Sequence, residues 1–165
     1  MILRPATPAD AAAMADLINE IIRIGGTTAH EIALSVETIT AYYITGPSVI
    51  CSHVAETDGQ LIGFQAVDRN ANLPTGWGDI GTFVAPGIQR GGIGQALFAA
   101  TVAAARDQGI TTINATIRAD NAPGLGYYTR RGFVDYGQDP AFALADGRVV
   151  GRVLKRYDLT PLPFD

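Results

Sequence analysis

The run Gln89-Arg90-Gly91-Gly92-Ile93-Gly94 is the segment of this chain best suited to chemistry. It lies between the apolar stretch Ile80 to Val84 and a long run of small residues that reads as a helix. A glycine-rich turn leaving a strand and opening a helix presents unpaired backbone N–H groups and the positive end of a helix dipole, which suits a phosphate or pyrophosphate. Spacing decides which one. A Walker loop needs Gly-Lys followed by Ser or Thr, so that lysine reaches the outer phosphates and the hydroxyl holds magnesium; neither follows Gly94. A dinucleotide fingerprint, Gly-x-Gly-x-x-Gly, would put Leu97 at its third glycine when counted from Gly92. What remains is Gln or Arg, two residues, Gly, one residue, Gly or Ala, met here by Gln89, Gly92 and Gly94.

Other reactive side chains are few. Cys51 and His53 stand two apart on one strand and so share a face, the arrangement of a thiol nucleophile, but also of a small core thiol beside a satisfied histidine. As the single cysteine, Cys51 allows no intramolecular disulfide and no cysteine-based zinc site, so no metal is expected and a reducing cytosol is. His30 and Glu31 sit in a polar loop between two helices, where substrate contact and plain exposure are both open. Trp77 and Tyr43 are either pocket wall or core. With 47% hydrophobic and 17% charged residues the chain reads as globular, and its net charge of −4 with scattered lysines and arginines excludes a nucleic-acid binder. Met1 to Pro5 carries no signal peptide, and Ala96 to Ala105 is too short to span a membrane, so a cytoplasmic protein without a membrane partner is expected.

The elements that position these residues follow from periodicity and punctuation. Ile2 to Pro5 is a short strand, and Thr7-Pro8-Ala9-Asp10 opens a helix whose Met14, Leu17, Ile18, Ile21 and Ile22 recur at helical spacing up to Gly25-Gly26. Ser35 caps a second helix that ends near Gly46-Pro47. Strands Val49 to Glu56, Gln60 to Asp68 and Gly78 to Val84 form an antiparallel meander, the first two joined by a tight Asp58-Gly59 turn. A helix through Asp107, a strand Thr111 to Ile117, a helix from Ala122 to Arg131, a strand Phe133 to Tyr136 and a last strand Val149 to Leu159 complete one domain over 1–165. The fold class is α+β.

Downstream of the glycine turn stand Asn121, Gly124, Tyr128, Gly132 and Phe133. The two blocks, in this order and separation, resemble the acyl-CoA signatures of the GNAT superfamily of N-acetyltransferases, with Gly124 in place of the second signature's usual alanine. The resemblance covers most of the chain. It implies the acyl-CoA N-acyltransferase fold, a mixed and mostly antiparallel central sheet flanked by helices, and acetyl-CoA as acyl donor. It assigns Gln89, Arg90, Gly91, Gly92, Ile93, Gly94 and Gln95 to the pyrophosphate cradle, and Phe83, Val84, Asn121 and Tyr128 to the rest of the coenzyme site.

Acyl transfer to an amine requires a base, an oxyanion donor and an acid for the departing sulfur. By resemblance Asp79 takes the place of the family's base, usually Glu, acting directly or through water; the amide of Val84 polarises the thioester carbonyl; and Tyr128 is the general acid. Tyr127, about 100° around the helix, is read as packing, with an exchange of roles between the two tyrosines left open. The helix-loop-helix opening, the acid before the coenzyme strand and the closing strand are similar to the phosphinothricin or methionine-sulfone acetyltransferase group. That similarity implies a small amino acid or its analogue as acceptor. From their places in the chain, His30, Glu31 and Trp77 are the candidates to contact it. A polyamine, an aminoglycoside, a protein N-terminus or a lysine as acceptor and a non-catalytic acyl-CoA sensor all stay open, as does a homodimer in which the tail Leu159 to Phe164 packs on a neighbour rather than on its own sheet.

Overall fold

Residues 1–88 and 91–159 are described in a computed structural model of the protein; Gln89, Arg90 and the tail beyond Leu159 lie outside the described residues. Strand β1 (Ile2–Pro5) leads through a short 3-10 turn (Pro8–Asp10) into helix α1 (Ala11–Ile24). The turn is there because Asp10 accepts from the Thr7 amide at 2.8 Å and pairs with Arg4 at 2.8 Å, fastening the helix start to β1. Helix α2 (Val36–Tyr43) is capped by Ser35, which accepts from the Thr38 amide at 3.1 Å. Strands β2 (Val49–Thr57), β3 (Gln60–Asp68) and β4 (Trp77–Val84) form the expected meander, turned at Asp58 and Gly59, both with positive φ.

Helix α3 (Ile93–Asp107), strand β5 (Thr112–Arg118), helix α4 (Ala122–Arg130) and strands β6 (Val134–Asp139) and β7 (Arg152–Asp158) follow. The closing strand begins at Arg152, later than the expected Val149. Val149 bridges to Ala143, the amides of Val150 and Gly151 both donate to the Phe142 carbonyl, and only then does the chain enter the ladder. The sheet order is β1-β2-β3-β4-β5-β7-β6, with β4–β5 the parallel pair and the others antiparallel.

Side-chain alternation divides the core in two. Phe64 and Phe83 face α1 and α2 and pack with Met14, Ile18 and Ile39, whereas Ile113, Ala115 and Ile117 face the other way toward Phe98, Tyr128 and Phe133. The β4–β5 pairing shapes the molecule most. It runs only through Trp77–Thr112, Gly78–Ile113 and Asp79–Asn114. Beyond Asp79, β4 stays with β3 as far as Val84, and β5 stays with β7 as far as Arg118, so the sheet parts along its middle. Among the described residues no helix is long and apolar enough to cross a membrane.

Candidate active site

The parted strands open into a cavity of about 1250 Å³ that is lined from both faces of the sheet. On the α3–α4 face its walls include Gly92, Ile93, Gly94, Gln95 and Asn121; on the α1–α2 face they include His30, Tyr43, Asp68 and Asp79. Phe83, Val84 and Tyr128 line the passage between them.

The first face has the geometry that suits an anion. Gly91 and Gly92 have φ of 110° and 75°, a region costly to any residue with a Cβ, and Gly92 caps α3 without any side-chain cap. The first amides of α3 are therefore left for a ligand, and the helix dipole adds to them. A Cβ on Gly94 would stand 2.6 Å from the Tyr127 ring, whose hydroxyl donates to the Gly94 carbonyl at 2.7 Å. Tyr127 thus packs on the start of α3 and braces it, and it lines the same cavity as Tyr128. Gly94→Val is expected to push this ring away and weaken acetyl-CoA binding by about tenfold, with a stability loss of about 1–3 kcal/mol; calorimetric titration and thermal unfolding measure the two effects. Asn121 caps α4 by accepting from the Gly124 amide at 3.0 Å. Its amide lies so close over Gly124 that a Cβ there would meet Nδ2 at 2.4 Å, which accounts for glycine where the signature has alanine. The same Nδ2 donates to the Thr27 carbonyl at 3.0 Å and ties down the α1–α2 loop.

Tyr128 is buried, and its hydroxyl lies 2.8 Å from Thr82 Oγ1. Burial pushes this phenol well above its ordinary pKa, while the bond to Thr82 pulls the other way.

Across the sheet, Asp79 is held on both oxygens: Asn114 Nδ2 donates to one at 2.8 Å and Asn70 Nδ2 to the other at 3.1 Å. Asn114 is itself fixed by the Tyr136 hydroxyl, which donates to its carbonyl oxygen. Directly opposite Asp79 in the β3–β4 ladder stands Asp68, an acid that nothing in its local sequence sets apart from other strand-end acids. Burial, with the Asp79 charge next in importance, raises Asp68 to about 6. His30 also reaches the cavity, its Nε2 2.7 Å from the Tyr43 hydroxyl, and burial lowers its pKa, favouring neutral imidazole.

The other expected acceptor residues lie elsewhere. Glu31 accepts the Ala145 amide on both oxygens, at 3.0 and 3.1 Å, and so fastens its loop to the β6–β7 connection. Trp77 packs edge-on against Tyr136, with ring centroids 5.5 Å apart. Cys51 is pushed up to about 11 by burial, the state of an unreactive thiol. Gln89 and Arg90 lie outside the described residues.

A glycine cradle, a parted sheet and a carboxylate beyond the gap define an acyl-CoA-dependent transferase, and the sequence agrees. Residues 16–133 match the profile of the Acetyltransferase (GNAT) family. The chain belongs to that family, whose members take their acyl group from acetyl-CoA. It is 36% identical over 87 residues to a mycothiol acetyltransferase of Streptomyces avermitilis; the match covers 52% of this chain but only 28% of that protein. Among solved structures it is similar to a phosphinothricin acetyltransferase from Sinorhizobium meliloti in complex with AcCoA, with a TM-score of 0.84 at 22% identity over 98% of this chain and 93% of that one. A ribosomal-protein-alanine N-acetyltransferase from Brucella melitensis gives 0.84 at 21% identity over 96% and 100%. At such identities these likenesses establish the fold.

Proposed function

We propose that the protein transfers the acetyl group of acetyl-CoA directly to the primary amine of a small molecule, an amino acid or amino-acid analogue. The observation that carries this reading is the single cavity joining the α3 cradle to the Asp68–Asp79 face through the β4–β5 gap, with Tyr128 at the passage. Bound in the cradle, acetyl-CoA supplies an already activated acyl carbon, so the chain need only position, deprotonate and protonate.

The amides of α3 hold the pyrophosphate, and the backbone of Val84, turned away from β3 and unpaired toward β5, receives the pantetheine arm beside Phe83, with the Val84 amide turned to the developing oxyanion. The Asp68–Asp79 pair attracts the acceptor's ammonium and takes its proton, directly or through water. Tyr128 returns a proton to the departing sulfur. Arg118 and Arg152 line the same cavity, each already paired with a carboxylate of its own, Asp120 at 2.7 Å and Asp139 at 2.8 Å, so they shape its polar wall rather than offer free cations.

Release of free thiol from acetyl-CoA over a panel of amino acids, amino-acid analogues, polyamines and peptide N-termini tests the proposal. Release that depends on the small amino acids supports it. Release with peptides alone would transfer the activity to a protein acceptor, and tight acetyl-CoA binding with no release for any amine would indicate an acyl-CoA sensor.

A further inference from the structure

The geometry points to Gln65 and Thr82 as positioning residues that orient the Tyr128 hydroxyl so that its proton faces the reacting sulfur. This rests on Tyr128 being the general acid of the proposed reaction.

Gln65 lies in the middle of β3 and is wholly buried, an unusual place for an amide among Phe64, Ala66 and Val67. Its Nε2 donates to Thr82 Oγ1 at 2.8 Å and to the Tyr127 hydroxyl at 3.1 Å, and Thr82 Oγ1 is in turn 2.8 Å from the Tyr128 hydroxyl. Counting donors fixes the direction of the first two bonds. Tyr127 gives its own proton to the Gly94 carbonyl, so it can only accept from Gln65. The second Gln65 proton goes to Thr82. A hydroxyl that accepts a bond becomes a better donor, so the bond from Gln65 biases Thr82 toward donating to Tyr128, the arrangement in which the Tyr128 proton faces the cavity.

The same polarity suits the chemistry. As the carbon–sulfur bond breaks and its electron pair goes to sulfur, Tyr128 releases its proton to that sulfur. The phenolate it leaves must be met by a donor, and Thr82 already points there, with no reorientation at the moment of transfer. The proton shed by the acceptor nitrogen, returned through water, restores the phenol and closes the balance. Gln65 Oε1, meanwhile, is buried with no hydrogen-bond partner among the described residues, a cost that stability alone would not favour at a strand centre.

Three near-isosteric variants test this. Thr82→Val and Gln65→Met are expected to lower turnover by about tenfold and several-fold respectively, with acetyl-CoA affinity by calorimetry unchanged, and Thr82→Ser to restore turnover. A readout independent of turnover is the ring-carbon Cζ shift of 13C-labelled Tyr128 in the free protein, assigned with Tyr128→Phe, because it reports hydrogen bonding at the phenol oxygen. It is expected to move in Thr82→Val and Gln65→Met and to return in Thr82→Ser. Wild-type turnover and an unmoved Cζ in both first variants, beside an impaired Tyr128→Phe, would overturn the orienting chain alone. Wild-type turnover in Tyr128→Phe would remove the general acid itself, and the inference with it.

Discussion

Tyr128→Phe is expected to lower turnover by about 100-fold or more while acetyl-CoA affinity stays within about twofold. The ring is a structural member: its centroid lies 5.0 Å from that of Phe133 and 4.9 Å from that of Tyr127, in edge-on packing that phenylalanine reproduces. What the substitution removes is one oxygen, and with it the hydrogen bond to Thr82 at 2.8 Å. Thermal unfolding should therefore change little, and the defect should appear in kcat rather than in coenzyme binding. The affinity measurement separates the two roles of this residue. A loss of acetyl-CoA binding equal to the loss of rate would make Tyr128 a coenzyme contact, and unchanged turnover would make it core.

The cradle and the two signature blocks were legible because each is local: a turn, a cap and a helix start are specified by neighbours in the chain. Asn121 caps the helix that follows it directly in the chain, and Asp58-Gly59 turns as the pair requires. Sheet order was not legible. That β7 inserts between β5 and β6 depends on which edges remain free once the domain assembles, and no local pattern encodes it. The carboxylate pair was hidden for the same reason. Asp68 and Asp79 are 11 residues apart, and only the β3–β4 register places them opposite one another. Gln65 did leave a trace, as a lone amide inside the apolar run Leu61 to Val67, but its partners come from β4 and α4. Glu31 and Trp77, read as substrate contacts, turned out to hold a loop and a neighbouring ring, because an exposed polar loop and a strand-end aromatic have many uses.

The Asp68–Asp79 pair gives the second large effect. With Asp68 near 6, the rate at low amine concentration should rise with pH through an acid limb near 6, because the carboxylate must be ionised to take a proton. Asp68→Asn should abolish that limb and lower kcat/KM for the amine by about 100-fold. Asp79→Asn should behave differently. It removes the neighbouring negative charge that helps raise Asp68, so the remaining limb should move to lower pH even as activity falls. Stability offers a check free of catalysis. A carboxyl whose folded pKa of about 6 exceeds its unfolded value of 3.8 stabilises the fold below the lower value and loses that contribution as pH rises through the higher one. At pH 8 Asp68 is therefore a burden on the fold. Asp68→Asn should raise stability there by on the order of 1 kcal/mol after solvent screening at this half-buried site, and by much less at pH 4. A limb near pH 6 that survives Asp68→Asn would place the titrating group elsewhere. The unfolding data would then still decide whether Asp68 carries the strained charge that its place opposite Asp79 and beside Tyr43 requires.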